Sequence, residues 1–165
     1  MSEFYKKVVV IGAGTMGSGI AAHLANSKIQ TILLDLSSEG EDKNKISNNA
    51  ILNIKKSDPP LLIERNCLNY IQAGNLEDDF HHISDADWII EAVVEKIEIK
   101  HHLYKKIQEI RSSHSIVSSN TSTIPLSVLT QEMSSEMKDN FLLFYLFAKT
   151  YQLIIINKNF TFFSN

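Results

Sequence analysis

The sequence predicts a single-domain α/β fold in which a doubly wound, mostly parallel sheet carries helices on both faces. Short runs of β-branched and apolar residues alternate along the chain with segments whose apolar residues recur at helical spacing. A glycine-rich turn follows the first apolar run and leads into the first helical segment. The length of 165 residues suits one hydrophobic core better than two.

The predicted elements follow in order from these patterns. Strands are expected at Lys7–Ile11, Gln30–Leu34, Leu68–Gln72, Trp88–Val94 and Ser115–Ser119. Helices are expected at Met16–Ser27, over a segment that contains Ile46, Ile51 and Ile54, and at Ile97–Ile110. Asp58 precedes two prolines and ends the second helix, because proline disfavours helical backbone in the residue before it. Gly74 and Asn75 are expected to turn the chain after the third strand.

The charge and the cysteine content exclude several classes of protein. Sixteen Lys and Arg against 19 Asp and Glu give a net charge of −3, which argues against nucleic acid or a polybasic membrane contact. Cys67 stands alone, so no disulfide scaffold is expected, and a cytoplasmic location fits. No signal peptide is expected, and no run reaches the roughly 18 apolar residues of a membrane span. Histidines are adjacent at 81–82 and at 101–102. Adjacent side chains on a helix or strand point in different directions and chelate poorly, so no metal site is expected.

The composition changes after residue 140. All 19 acidic residues precede residue 141, whereas six of the eight Phe follow residue 140. This last part shows no clean strand or helix period. We therefore expect one domain over residues 1–142 and a divergent apolar tail over residues 143–165.

The segment from Gly12 to Gly17 has the pattern G-x-G-x-x-G between a predicted strand and a predicted helix. In that position the first glycine permits a tight turn, the second lets the backbone approach a pyrophosphate, and the third lets helix and strand pack closely. The N-terminus of the helix offers free N–H groups to the phosphates. We expect Gly12, Gly14, Thr15, Met16 and Gly17 to contact a dinucleotide.

Asp35 ends the second predicted strand, at about the spacing from the glycine loop that dinucleotide-binding sheets of the Rossmann type show. A carboxylate there accepts hydrogen bonds from ribose hydroxyls and repels a 2′-phosphate, and no Arg follows closely. The sequence therefore predicts NAD, not NADP, as the cofactor.

Two further motifs follow the fourth and fifth predicted strands: Glu91–Lys100 and Ser119–Ser122. Both stand at the carboxyl ends of strands, where open α/β sheets bind ligands. With the glycine loop, these motifs resemble the NAD-binding domain of the 3-hydroxyacyl-CoA dehydrogenases of fatty-acid β-oxidation. The resemblance covers residues 5 to about 142 and implies an oxidoreductase that transfers a hydride from 3-hydroxyacyl-CoA to NAD.

The resemblance also implies roles for particular residues. Glu95 and Lys100 match family positions near the nicotinamide ribose, Asn120 matches one near the nicotinamide and the substrate, and Ser122 matches the serine that contacts the 3-hydroxyacyl group. Capping of the following turn is the structural alternative for Glu91, which is not expected to act in catalysis. A helix-dipole role for Glu95 and a plain N-cap role for Ser119–Ser122 are the structural alternatives.

The chain departs from the family after residue 140. The family's general base is a His in a His-Phe-Phe-Asn-Pro-type motif, and a later Glu orients it. Here the corresponding place, 141–149, contains no His, Asn or Pro, and His114 is the last histidine. We therefore expect a truncated fragment, through a frameshift or an early end, with little activity alone. A separately encoded C-terminal domain is one partner that would complete the substrate cleft.

Three alternatives stay open on the sequence. The chain could bind NAD without performing chemistry, or be a non-functional fragment that does not fold stably. It could also be a different dehydrogenase that shares the glycine loop, although the motifs at 91–100 and 119–122 argue against this. Acyl chain length, oligomeric state and the residues of 37–57 that would hold coenzyme A are not readable from the sequence.

Overall fold

A computed structural model describes residues 5–147, 152–157 and 160–163. Its eight strands are β1 Lys7–Ile11, β2 Gln30–Asp35, β3 Ile71–Asn75, β4 Trp88–Glu91, β5 Ile116–Ser119, β6 Phe141–Phe147, β7 Gln152–Asn157 and β8 Phe160–Phe163. The five α-helices are α1 Thr15–Asn26, α2 Lys45–Lys56, α3 Ile97–Ile110, α4 Leu126–Leu129 and α5 Ser135–Asp139. Two 3-10 helices cover Arg65–Tyr70 and Phe80–Asp85.

The strands form one sheet in the order β3-β2-β1-β4-β5-β6-β7-β8. The first six are parallel, and β7 and β8 join antiparallel at the far edge. The strand order reverses between β1 and β4, which makes the crevice at their carboxyl ends the switch point of the sheet. The predicted doubly wound, mostly parallel α/β sheet is confirmed.

Two hydrophobic cores cover the two faces of the sheet. One face of β1, through Val8 and Val10, packs with α1 and α2. The other face, through Val9 and Ile11, packs with α3 and with Leu129, Met133 and Met137 from the region of α4 and α5. Because β1 is buried on both faces, its sequence is continuously apolar and does not alternate.

The third strand differs from the prediction. The chain around Leu68 forms a 3-10 helix, and β3 begins only at Ile71 and includes Gly74 and Asn75. Gly74 is not a turn residue: a Cβ there would lie 2.7 Å from Leu34 Cδ2, so the glycine permits close packing of neighbouring strands. The turn follows, where Asn75 Oδ1 accepts hydrogen bonds from the N–H groups of Glu77 and Asp78 at 2.9 Å.

The sequence after residue 140 shows no period, yet it continues the sheet through β6, β7 and β8. An uninterrupted apolar run carries no alternation that would identify it as a strand. Strand β6 crosses the predicted boundary at residue 142, and that boundary stays a prediction. In the described part of the chain, no helix has the length and hydropathy of a membrane span.

Candidate functional site

The glycine loop joins β1 to α1 at the switch point. Gly12 has a φ of +104°, and a Cβ on it would lie 2.5 Å from the carbonyl oxygen of Ala92. A Cβ on Gly17 would lie 1.7 Å from the carbonyl oxygen of Gly12. Both positions therefore exclude any side chain, because backbone atoms that cannot move aside fill the space. These two glycines serve the fold of the loop itself.

Gly14 differs from its neighbours. Apart from its neighbours along the chain, no described atom lies within 4 Å of a Cβ built on it, and its backbone angles suit any residue. It caps α1, and no side chain caps the first turn, which begins with the exposed Thr15 and the half-buried Met16. The N–H groups of that turn carry the positive end of the helix dipole. The open space beside Gly14 is therefore where a phosphate group fits.

Asp35 ends β2 beside this loop. Its Oδ2 accepts a hydrogen bond from the N–H of Ala13 at 2.5 Å, and its Oδ1 accepts one from Leu36 at 2.7 Å. A cavity of about 650 Å³ opens between the ends of β1, β2 and β4, and its lining includes Gly12, Gly14, Asp35, Leu36, Val93 and Ile99. An apolar cleft with a carboxylate and a glycine-rich turn at a helix N-terminus fits an adenosine diphosphate group.

The end of β4 carries a buried charge cluster. Glu91 and Lys100 are both fully buried, and Lys100 Nζ lies 2.6 Å from Glu91 Oε1. The N–H of Val93 donates to the same oxygen at 2.8 Å. Tyr104 Oη and Ser119 Oγ donate to Oε2 at 2.5 and 2.6 Å. Four donors thus fill the four acceptor positions of one carboxylate.

Burial raises the pKa of the Tyr104 phenol above its usual value, and the adjacent Glu91 carboxylate acts in the same direction. The phenol therefore stays protonated and donates its hydrogen to Glu91. The contact with Val93 fits the alternative in which Glu91 caps the segment that follows β4. The turn cap is, however, only one of its four contacts.

Lys100 occupies a different place from the one that the sequence suggests. Its ammonium has no exposed surface and lies beneath the crevice, paired with Glu91. A direct contact with a dinucleotide would require this pair to open. Its role in cofactor binding therefore stays a prediction, and the contact in the structure is with the protein.

Glu95 follows β4 and connects to the loop after β5. Its Oε2 accepts hydrogen bonds from Thr121 Oγ1 at 2.7 Å and from Thr123 Oγ1 at 3.3 Å. Asn120 lies in the same loop, and its N–H donates to the carbonyl oxygen of Glu91 at 2.8 Å. Ser122 is exposed on this loop. The structure thus brings Glu95, Asn120 and Ser122 onto two joined loops at the carboxyl ends of β4 and β5.

The sequence contained a signal for the buried cluster. Glu91 ends an otherwise apolar strand, and Lys100 falls on the apolar stripe of α3 with Ile97, Tyr104 and Ile107. A single acid and a single base, each surrounded by apolar positions nine residues apart, indicate a buried ion pair.

Known proteins are similar to this chain in sequence and in fold. Residues 7–155 match the family described as 3-hydroxyacyl-CoA dehydrogenase, NAD binding domain. A Rickettsia felis protein named as a fatty acid oxidation complex trifunctional enzyme is 45% identical over 148 residues, which cover 89% of this chain and 21% of that protein. A Bacillus subtilis protein named as a 3-hydroxyacyl-CoA dehydrogenase is 40% identical over 157 residues, with 86% and 20% covered.

A crystal structure of 3-hydroxybutyryl-CoA dehydrogenase from Escherichia coli K12 superposes with a TM-score of 0.71. The two sequences are 26% identical, and the superposed region covers 87% of this chain and 30% of the Escherichia coli chain. The chain thus spans about a fifth of the length of the two sequence relatives above. The family match extends over most of the chain and includes the glycine loop, Asp35 and both loops of the crevice. The protein belongs to the NAD-binding domain family of the 3-hydroxyacyl-CoA dehydrogenases, and its cofactor is NAD.

Proposed function

We propose that this chain provides the NAD-binding part of a dehydrogenase that oxidises 3-hydroxyacyl-CoA in fatty-acid β-oxidation. The observation that carries the proposal is the open space at Gly14, which stands at the N-terminus of α1 and beside the Asp35 carboxylate. Bound NAD would accept the hydride from C3 of the substrate, while the 3-hydroxyl proton passes to a base, which leaves a 3-ketoacyl-CoA.

The glycine loop and Asp35 would hold the adenosine half of the cofactor. Gly12, Gly14 and Gly17 set the backbone around the pyrophosphate, and Thr15 and Met16 supply the first N–H groups of α1. The Asp35 carboxylate accepts the ribose hydroxyls and excludes a 2′-phosphate by charge and size. This half of the site is supported by the cavity between the ends of β1, β2 and β4.

The loops after β4 and β5 would hold the nicotinamide half and the acyl substrate. Glu95 and Lys100 are assigned to the nicotinamide ribose. Lys100 would reach the ribose only if its buried ion pair with Glu91 opens. Asn120 and Ser122 would orient the substrate oxygen without adding a charge. The joined position of Glu95 and Thr121 supports placing these groups on one wall of the crevice.

The general base is not among the residues of this sequence. No His follows His114, and residues 141–149, which correspond to the family motif, contain no His, Asn or Pro. We propose that residues 1–142 form the NAD-binding domain, that 143–165 are a divergent tail, and that a separate domain or chain completes the substrate cleft. General acid–base groups typically contribute about 10²–10⁴-fold, so the chain alone should turn over slowly. The lone buried Cys67 supports a reducing cytoplasm as the location.

A titration of the purified chain with NADH, followed by nicotinamide fluorescence, tests the cofactor site. Saturable binding of NADH with much weaker binding of NADPH is expected. A folded chain that binds neither would overturn the proposal. A single-turnover assay with 3-hydroxybutyryl-CoA and NAD then separates a slow dehydrogenase from a module that binds the cofactor without chemistry. The missing base favours the module.

A further inference from the structure

Glu91 lies inside the sheet, and its carboxylate has no exposed surface. It therefore cannot touch a bound cofactor or substrate unless the site rearranges. Its four donors come from three separate segments: the turn after β4, helix α3 and the end of β5. A carboxylate shared by three segments fixes where each stands relative to the others.

The backbone reinforces the same junction. The N–H of Asn120 donates to the carbonyl oxygen of Glu91, and the N–H of Ala92 donates to that of Ile11, both at 2.8 Å. The residue after Ile11 is the first glycine of the loop. The ends of β1, β4 and β5 are thus tied together at one point under the crevice.

Ser119 joins this junction from the end of β5. Asp35 and the cavity mark the adenosine side, which the ends of β1, β2 and β4 line. A dinucleotide that crosses the switch point places its other half over the ends of β4 and β5. That half is the nicotinamide, and the loops beside it are those that Glu91 holds.

We propose that Glu91 is a positioning residue for the nicotinamide half of NAD, acting through Ser119 on the loop that carries Asn120 and Ser122. The proposal rests on the proposed cofactor site. Loss of the hydrogen bond between Ser119 and Glu91 would misplace the loop after β5 and leave the glycine loop and Asp35 in place. Affinity for the nicotinamide half should fall while affinity for the adenosine half stays constant.

Ser119→Ala gives the sharpest test, because it removes one donor to Glu91 and leaves the ion pair with Lys100 intact. Ser118→Ala is the matched control. Ser118 is equally buried on the same strand, but its hydroxyl accepts from Trp88 Nε1 at 2.9 Å and is not one of the four donors to Glu91. Affinities for NADH and for ADP-ribose, which lacks the nicotinamide, are measured for both variants by direct fluorescence and by displacement of NADH.

In Ser119→Ala, NADH affinity should fall about fivefold, the equivalent of one hydrogen bond, with ADP-ribose affinity within about twofold of wild type. Ser118→Ala should leave the ratio of the two affinities unchanged. Equal losses for both ligands, or the same change of ratio in the control, would overturn the positioning role. A wild-type chain that binds neither ligand would overturn the cofactor site, and the inference with it.

Glu91→Gln tests the same inference from the carboxylate itself. If this chain fails to fold because Lys100 is left unpaired, the double variant Glu91→Gln with Lys100→Met replaces it and is compared with Lys100→Met, because Lys100 is itself assigned to the nicotinamide ribose. Either variant should again bind ADP-ribose normally and NADH more weakly than the chain with which it is compared. Unchanged binding of NADH in that comparison would contradict the proposal.

Discussion

The Asp35 carboxylate accepts a hydrogen bond from the backbone N–H of Ala13, so the residue that ends β2 closes onto the loop that follows β1. The carboxylate that we propose as the ribose ligand thus also holds the glycine loop. A ribose hydroxyl can share this carboxylate with Ala13, or replace Ala13 as its donor. Either exchange couples recognition of the ribose to the conformation of the glycine loop.

Asp35→Asn should weaken NADH binding by about tenfold or more, since hydrogen bonds to a charged group contribute roughly 1.5–3 kcal/mol. Its effect on NADPH should be smaller, because the repulsion of the 2′-phosphate is lost together with the bond. The preference for NADH over NADPH should therefore narrow, as measured by fluorescence titration of both. Glu109→Gln, which neutralises an exposed acid on α3, is the control. An unchanged NADH affinity in Asp35→Asn would contradict the ribose assignment.

Gly14→Ala and Gly17→Ala should separate cofactor binding from folding. An alanine at position 14 meets no protein atom and has permitted backbone angles, so its free energy of unfolding should stay within about 1 kcal/mol of wild type. Its methyl group occupies the space for the pyrophosphate, so NADH affinity should fall strongly.

Gly17→Ala should show the opposite pattern of stability. Its Cβ would overlap the Gly12 carbonyl oxygen, so the loop must shift, at a cost of about 1–3 kcal/mol. Urea unfolding compares the two variants. A Gly14→Ala chain that binds NADH like wild type would show that the pyrophosphate does not lie at this turn.

Lys100→Met should destabilise the chain by about 3–5 kcal/mol, because it leaves the Glu91 carboxylate buried without its cation. Adding Glu91→Gln should recover part of this loss, since no unpaired charge then remains. Urea denaturation of the single and double variants measures the coupling between the two positions. If Lys100→Met unfolds at the wild-type urea concentration but loses NADH affinity, Lys100 acts on the cofactor directly.

Tyr104→Phe should change how stability depends on alkaline pH. The folded chain keeps the phenol protonated because its pKa is raised, whereas the unfolded chain releases the proton above about pH 10. The stabilisation from Tyr104 is therefore complete below that pH and is lost as the pH rises further, by up to about 1.4 kcal/mol per pH unit.

The free energy of unfolding, measured between about pH 9 and 11, should fall less steeply in Tyr104→Phe than in wild type. Tyr70→Phe, outside the Glu91 cluster, controls for loss of a tyrosine elsewhere. Identical slopes in wild type and Tyr104→Phe would show that the phenol is not held protonated by its surroundings.

The sequence predicted best those parts of the fold that local patterns determine. The bounds of β1 and α3 match the predicted ranges, because one is a bounded apolar run and the other has a sustained helical period. The glycine loop was also predictable, since only glycine fits at Gly12 and Gly17. Helix α2 ends at Lys56, just ahead of the Asp58 segment predicted to stop it.

Long-range packing explains the parts that the sequence did not predict. Gly74 resembles a turn residue in sequence, but it is a strand residue because Leu34 packs against it. Lys100 matches a family position at the NAD site, but the folded chain pairs it with Glu91 under the sheet. Leu34, which packs on Gly74, comes from a distant part of the sequence that no local period indicates.

The central position of β1 also governs the order in which the sheet can assemble. Val8 pairs with Thr31 on one side and with Trp88 on the other, so the second edge of β1 stays open while the intervening half of the domain is being synthesised. Non-local pairing of this kind slows folding and leaves apolar strand edges open to other chains. The domain therefore depends most on protection from aggregation while the nascent chain still ends before β4.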